Sequence, residues 1–134
     1  GAYAANAPGK TRAGVAYIFK WEKGTWQQQQ KLQPADLQGL YFRFSVAISE
    51  EVAIVGALYA EASGKYNAGA AYIFKLEGGT WQQKQKLQPA DLQQNDRFGH
   101  SVTISGEVAI VGSVFADASG KPDAGAVYIF QAED

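Results

Sequence analysis

Apolar positions come in short runs of about five to nine residues, separated by turn-forming and charged residues, and no stretch keeps a helical period. The runs predict strands of four kinds, lettered A to D in their order of recurrence. A covers residues 44–49 and 100–105, and B covers 51–57 and 107–113. C covers 14–20, 69–75 and 125–131, and D covers 25–33 and 80–88. In the first C strand, Val15, Tyr17 and Phe19 share one side, with Ala16 and Ile18 on the other. Strand B, with Val52-Ala53-Ile54-Val55, is apolar on both sides, which predicts a sheet covered on both faces. Strand D is polar through Gln27-Gln28-Gln29-Gln30 and Gln82-Gln83-Lys84-Gln85, as expected of a solvated outer strand.

The pattern repeats. Gly14 returns as Gly69 after 55 residues and as Gly125 after 56 more, each time opening a Tyr-Ile-Phe strand. Residues 31–38 return unchanged as 86–93, and 51–56 return unchanged as 107–112. A period of this length points to a propeller, a solenoid or an array. The A–B links (49–51, 105–107) and the C–D links (22–25, 77–80) have hairpin length, with Gly78-Gly79 suited to the positive φ of a tight turn. The B–C links (58–68, 114–124) and the D–A links (34–41, 89–97) are long. The gradient from apolar A, B and C to polar D is that of a four-stranded propeller blade.

Asp96-Arg97-Phe98-Gly99-His100-Ser101-Val102, followed by Ala109-Ile110-Val111-Gly112 and Gly125-Ala126-Val127-Tyr128-Ile129-Phe130, resembles an FG-GAP repeat of the bacterial and extracellular type, related to the integrin α-chain propeller. The resemblance covers almost the whole chain. It implies an all-β fold of four-stranded antiparallel blades, an extracellular or cell-surface setting, and adhesion or ligand binding. Propellers also host enzymes, but no constellation of acid, base and nucleophile stands out, so no enzymatic activity is expected. Two departures stand out. The A–B links are too short to supply the roughly six to eight oxygens that calcium takes. The first A strand reads Phe42-Arg43-Phe44 where the second has Phe98-Gly99-His100, so one Phe-Gly glycine is missing.

The repeat divides the chain into a partial blade over 1–33, a full blade over 34–88 and a partial blade over 89–134. The strand order C, D; A, B, C, D; A, B, C amounts to about two blades per chain, too few to close a ring alone. The expectation is a homo-oligomer whose copies complete each other's blades; the alternative is a piece of a longer propeller, in keeping with Gly1 where an initiating methionine would stand. The near-identity of the copies fits recent duplication or design.

Composition narrows the function classes. A net charge of −1 gives no electrostatic reason to expect nucleic acid or an anionic membrane. The absence of cysteine excludes disulfides, thiol chemistry and thiolate metal sites. No apolar run approaches the length of a membrane-spanning helix. His100 is the single histidine, with Phe44 as its counterpart, so it reads as structural or channel-lining and forms no triad or zinc site. No cofactor is expected. A weak cation site at Asp117 and Asp123 is the one metal candidate, and it is left out of the expected sites.

Antiparallel blades bring the long D–A and B–C links to one face, the expected binding face. The residues singled out there are Tyr41, Tyr59, Tyr66 and Arg97, which differ from or have no identical match in the other copies. The tyrosines suit sugar stacking or anchoring of a protein partner. Trp26 and Trp81, identical in both copies, are expected to pack within the blade, and Asp36 and Asp91 to cap turns.

Overall fold

The computed structural model describes residues 15–36, 44–116 and 124–133. These form nine strands: β1 (Ala16–Glu22), β2 (Thr25–Leu32), β3 (Phe44–Ser49), β4 (Val52–Ala57), β5 (Ala70–Glu77), β6 (Thr80–Leu87), β7 (Phe98–Ser105), β8 (Val108–Ser113) and β9 (Ala126–Gln131). All pairings within the sheets are antiparallel: β1-β2, then β3-β4-β5-β6, then β7-β8-β9. The chain is therefore all-β, with one complete four-stranded blade between two partial ones. The β3–β4 and β7–β8 links are two-residue turns, with Glu50 and Gly106 at positive φ. The β1–β2 and β5–β6 turns place Lys23-Gly24 and Gly78-Gly79 at positive φ, as a tight hairpin of right-handed twist requires.

Strand bounds differ from the sequence reading in one informative place. β7 begins at Phe98, two residues before the expected A strand, and its pairing with β8 shifts between Phe98 and Ser101. Gly99 lies in that irregularity at φ 92.

Two apolar cores hold the sheets together. Ala16, Ile18 and Leu32 of the first sheet pack on Ala53, Val55, Ala57, Tyr72, Phe74 and Trp81 of the second. The opposite face of the second sheet presents Ile54, Ala71, Ile73 and Leu87 to Phe98, Val102, Ala109, Val111, Tyr128 and Phe130 of the third. The middle sheet is covered on both sides, as the doubly apolar β4 demands. The outer faces of the end sheets stay open: Phe19, Trp21 and Trp26 on the first, Val108, Ile110, Val127 and Ile129 on the third. Trp81 is 8% exposed, whereas its repeat equivalent Trp26 is 66% exposed and meets Trp21 edge-on at 5.5 Å. The expectation that both tryptophans pack within a blade thus holds for Trp81 and fails for Trp26, because among the described residues no sheet covers the face that bears Trp26.

A bulge at the same place in both hairpins makes this possible. Pairing shifts between Ile18 and Phe19, passing over Gln29, and between Ile73 and Phe74, passing over Lys84. The extra residue reverses the side-chain alternation. Trp81 therefore enters the core on one side of the sheet, while Leu87, six positions on, enters the core on the other.

Candidate functional site

The described parts of the long links after β4, β6 and β8 converge at one end of the sheets. The link after β6 is fastened to the link after β4 by backbone hydrogen bonds: Asn95 N donates to Tyr66 O at 2.9 Å, Arg97 N to Asn67 O at 3.0 Å, and Phe98 N to Ala68 O at 2.9 Å. Phe115, in the turn after β8, donates from its backbone N to Asp96 O at 3.3 Å. Lys65 adds a side-chain bond from Nζ to Leu92 O at 2.9 Å. The loops form a cross-braced surface on the rigid sheet scaffold.

Arg97 is its centre. Its guanidinium lies over the Tyr59 ring at 5.3 Å and the Phe115 ring at 4.7 Å, a double cation–π contact. Its Nε is buried with no hydrogen-bond partner. The backbone at Arg97 and at Asn95 has positive φ, so the link is wound tightly just before Phe98. Tyr66 is 66% exposed, and its backbone is held against Asn95, two residues from Arg97. The structure thus brings Tyr59 and Arg97 into direct contact and sets Tyr66 on the same loop assembly. Tyr41, Asp117 and Asp123 lie outside the described residues. His100 is exposed on β7, the strand at the inner edge of its sheet, beside a shallow groove lined by Ser101, Gly112, Val114 and Val127.

Asp36 and Asp91 have a different role from the expected turn caps. The Lys86 Nζ donates to Asp36 Oδ2 at 2.5 Å, and the Tyr72 hydroxyl also donates to this carboxylate. Burial pushes the Asp36 carboxyl up, but the hydrogen bonds from Lys86 and Tyr72 together with the Lys86 charge outweigh it, and its pKa lies below the ordinary value. Burial, with the Asp36 hydrogen bond and charge, raises the Tyr72 hydroxyl far above the usual phenol. One repeat later, the Tyr128 hydroxyl donates to Asp91 at 3.2 and 3.4 Å. The cap in that link is Asp96, 5% exposed, whose Oδ2 accepts from Gln93 N at 2.8 Å. The Asp–Tyr–Lys grouping was legible as a recurrence, since Asp36, Tyr72 and Lys86 match Asp91, Tyr128 and the Tyr17/Lys31 pair. What sequence reasoning lacked was the contact between consecutive sheets that joins them. Beside this grouping is a polar recess of about 240 Å³ lined by Asp36, Glu61, Ser63, Tyr72, Lys86 and Gln88.

Burial, then the Asp91 charge and hydrogen bond, push the Tyr128 hydroxyl up to about 12. A raised folded-state value means that the folded protein holds this proton more tightly, so the associated stability is complete below about pH 10 and declines as pH rises towards 12. Urea midpoints measured from pH 8 to 11.5 should fall above pH 10, and Tyr128→Phe should lessen that decline, Tyr72 supplying the remainder. A wild-type midpoint unchanged across this range would show that Asp91 and burial do not hold the phenol proton.

Among the described residues no cluster of three metal-ligating side chains occurs, and no helix is long and apolar enough to cross a membrane. A search of curated proteins returns no match. The FG-GAP repeat family matches the chain twice in succession, over residues 26–74 and 81–130. Those two segments take in strands of all three sheets and most of the chain. The second match contains Phe98 and Gly99 at the junction between sheets, where the dipeptide has a visible structural task. With the blade architecture and both repeat matches in agreement, the chain belongs to the FG-GAP repeat family.

Proposed function

We propose that the chain is a non-enzymatic binding module of an extracellular or cell-surface protein, presenting the long-link face to a glycan or protein ligand. The observation that carries this reading is the Tyr59–Arg97–Phe115 stack with the exposed Tyr66 beside it. A guanidinium held against two rings keeps its outward N–H groups available without losing much side-chain freedom on binding. An exposed tyrosine next to it offers a flat apolar surface with a polar tip, the combination that stacks on a sugar ring or anchors a protein contact. The cross-braced backbone fixes both in place before any ligand arrives. Among the described residues of this face no acid, base and nucleophile come together, which favours recognition over chemistry.

The test is a glycan array probed with the intact chain, followed by titration of the best-binding glycan. Tyr66→Ala and Arg97→Ala are each expected to weaken binding by roughly tenfold or more, as central anchor residues do. Unchanged affinity in both variants would reject this face. Absence of signal on every glycan would leave a protein as the ligand class, to be sought with the same two variants as controls.

A second reading, a self-assembling scaffold, is favoured by a separate observation. The open faces of the two end sheets carry large apolar side chains, with Trp26 66% exposed and Ile129 71% exposed. Contiguous exposed apolar residues of this size mark an association surface.

A further inference from the structure

We propose that the β1–β2 hairpin of a second copy of this chain replaces β9 beside β8, so that β7, β8 and the hairpin form one four-stranded blade built from two chains. The proposal rests on the scaffold reading and gives it a partner and a contact; it is independent of the ligand of the long-link face.

The first and second sheets are joined by a specific set of polar contacts. Gln30 Nε2 donates to Trp81 O at 2.8 Å, and Trp81 N donates to Gln30 Oε1 at 2.8 Å, so the amide clips the free outer edge of β6. Ala35 N donates to Gln83 Oε1 at 2.9 Å. Lys86 and Tyr72 meet Asp36. Each contact has a leading half and a trailing half, and the repeat supplies both again. Gln30, Ala35 and Asp36 recur as Gln85, Ala90 and Asp91, on the side of the middle sheet that faces the third. Trp81, Gln83, Tyr72 and Lys86 recur as Trp26, Gln28, Tyr17 and Lys31, on the first sheet. Within one chain these halves stand at opposite ends and do not meet.

The unmatched halves are already shaped for each other. Lys31 lies over the Tyr17 ring at 5.7 Å, just as Lys86 lies over Tyr72 at 5.8 Å. Among the described residues Asp91 receives the Tyr128 hydroxyl and no ammonium group, and Lys31 reaches no carboxylate. Gln85 lines a groove of about 240 Å³ with Ile73, Leu87, Ile104 and Phe130, at the position that Trp81 fills one blade earlier. β2 differs from β6 only in Gln29 for Lys84, at the bulge. A second copy's β2 therefore brings Trp26 to that groove, the Trp26 backbone to Gln85, and Lys31 to Asp91.

The redundant strand is β9. The β1–β2 hairpin is closed by a two-residue turn and paired over seven positions, whereas β9 pairs on one side only. Val127 and Ile129 of β9 are 67% and 71% exposed. Their register equivalents in the incoming hairpin are Ala16 and Ile18, which are already packed on the next sheet of their own chain. The exchange thus removes two exposed apolar side chains from the sheet, completes the outer edge, and covers Val108 and Ile110. The junction is head-to-tail, so copies add in one direction and form a ring where the rotation closes.

The mass of the chain in dilute solution, with charge reversal at the junction, tests this. The wild type should run as a multiple of 14.4 kDa. Lys31→Asp, on an exposed position of a hairpin that keeps its other contacts, should weaken assembly on the order of tenfold or more, and so should Asp91→Lys, because each sets like charges face to face. The double variant Lys31→Asp/Asp91→Lys should recover it. A monomeric wild type, which would leave the open faces to further blades of a longer chain, overturns the proposal; so does assembly indifferent to both reversals. Strand replacement has its own readout. The β8–β9 register pairs Val108 with Gln131, and Lys20 is the equivalent of Gln131 in the incoming β1. In this cysteine-free chain, Val108→Cys/Lys20→Cys should form a disulfide between copies, since facing positions of a non-hydrogen-bonded pair lie within about 4.5 Å. Assembly without that cross-link overturns the displacement of β9.

Discussion

Phe98→Ala is expected to lower the stability of the protein by about 3–5 kcal/mol, the usual cost of removing a buried phenylalanine. Phe98 is fully buried, and its ring meets Tyr128 edge-on at 5.2 Å and Phe130 edge-on at 6.0 Å. It enters the core shared by the second and third sheets from the first residue of β7. Its backbone N donates to Ala68 O, so the side chain and the main chain hold the same junction. Alanine leaves a cavity that rigid sheets on both sides cannot collapse to fill. The loss is a large fraction of the roughly 5–15 kcal/mol that keeps an ordinary domain folded. Urea denaturation at one fixed protein concentration measures it, the concentration being held because association contributes to apparent stability. A loss under about 1 kcal/mol would mean that the third sheet docks without this ring.

Gly99→Ala is expected to cost about 3 kcal/mol, combining strain at a positive φ with a clash between backbones. Gly99 sits at φ 92, and an added Cβ would stand 2.4 Å from Ala70 O and 3.0 Å from Ala57 N. From the other side, a Cβ on Gly56 would stand 2.2 Å from Gly99 O. The second and third sheets thus touch main chain to main chain, and only residues without a Cβ allow that approach. The comparison variant is Gly106→Ala, at φ 55 in open space, where only the left-handed backbone penalty of about 1–2 kcal/mol applies. Equal losses in the two variants, read from urea midpoints, would show that the backbone contact at Gly99 contributes nothing of its own.

These two residues explain the Phe-Gly dipeptide physically. The phenylalanine fills the core between consecutive blades, and the glycine lets the blades approach. Sequence alone marked the dipeptide as part of a repeated pattern but began the A strand two residues too late. The cause is the irregular pairing between Phe98 and Ser101, which period-two alternation does not reveal.

The candidate site was partly legible. Residues that change between copies, Tyr59, Tyr66 and Arg97, do lie on one cross-braced loop surface, and two of them touch. Phe115 stands at the repeat position of Tyr59. Its place against Arg97 depends on the third sheet docking on the second, which aligns the turn after β8 with the link after β6. Asp36 and Asp91 were misread because a turn cap is a local device. Their partners Lys86 and Tyr128 lie 50 and 37 residues away.

Strand identity, hairpin turns and blade membership came from the chain itself. Alternation, paired glycines and a period of 55–56 residues are local or recurrent properties that need no long-range contact to be read. Which faces are covered was decided only by the tertiary structure. Trp26 and Trp81 sit in nearly identical sequence, yet one is exposed and the other buried, because burial depends on whether a neighbouring sheet is present. The bulges at Gln29 and Lys84 turn tryptophan and leucine of one strand to opposite faces of the sheet. Side-chain direction after a bulge follows from pairing geometry, and composition does not encode it.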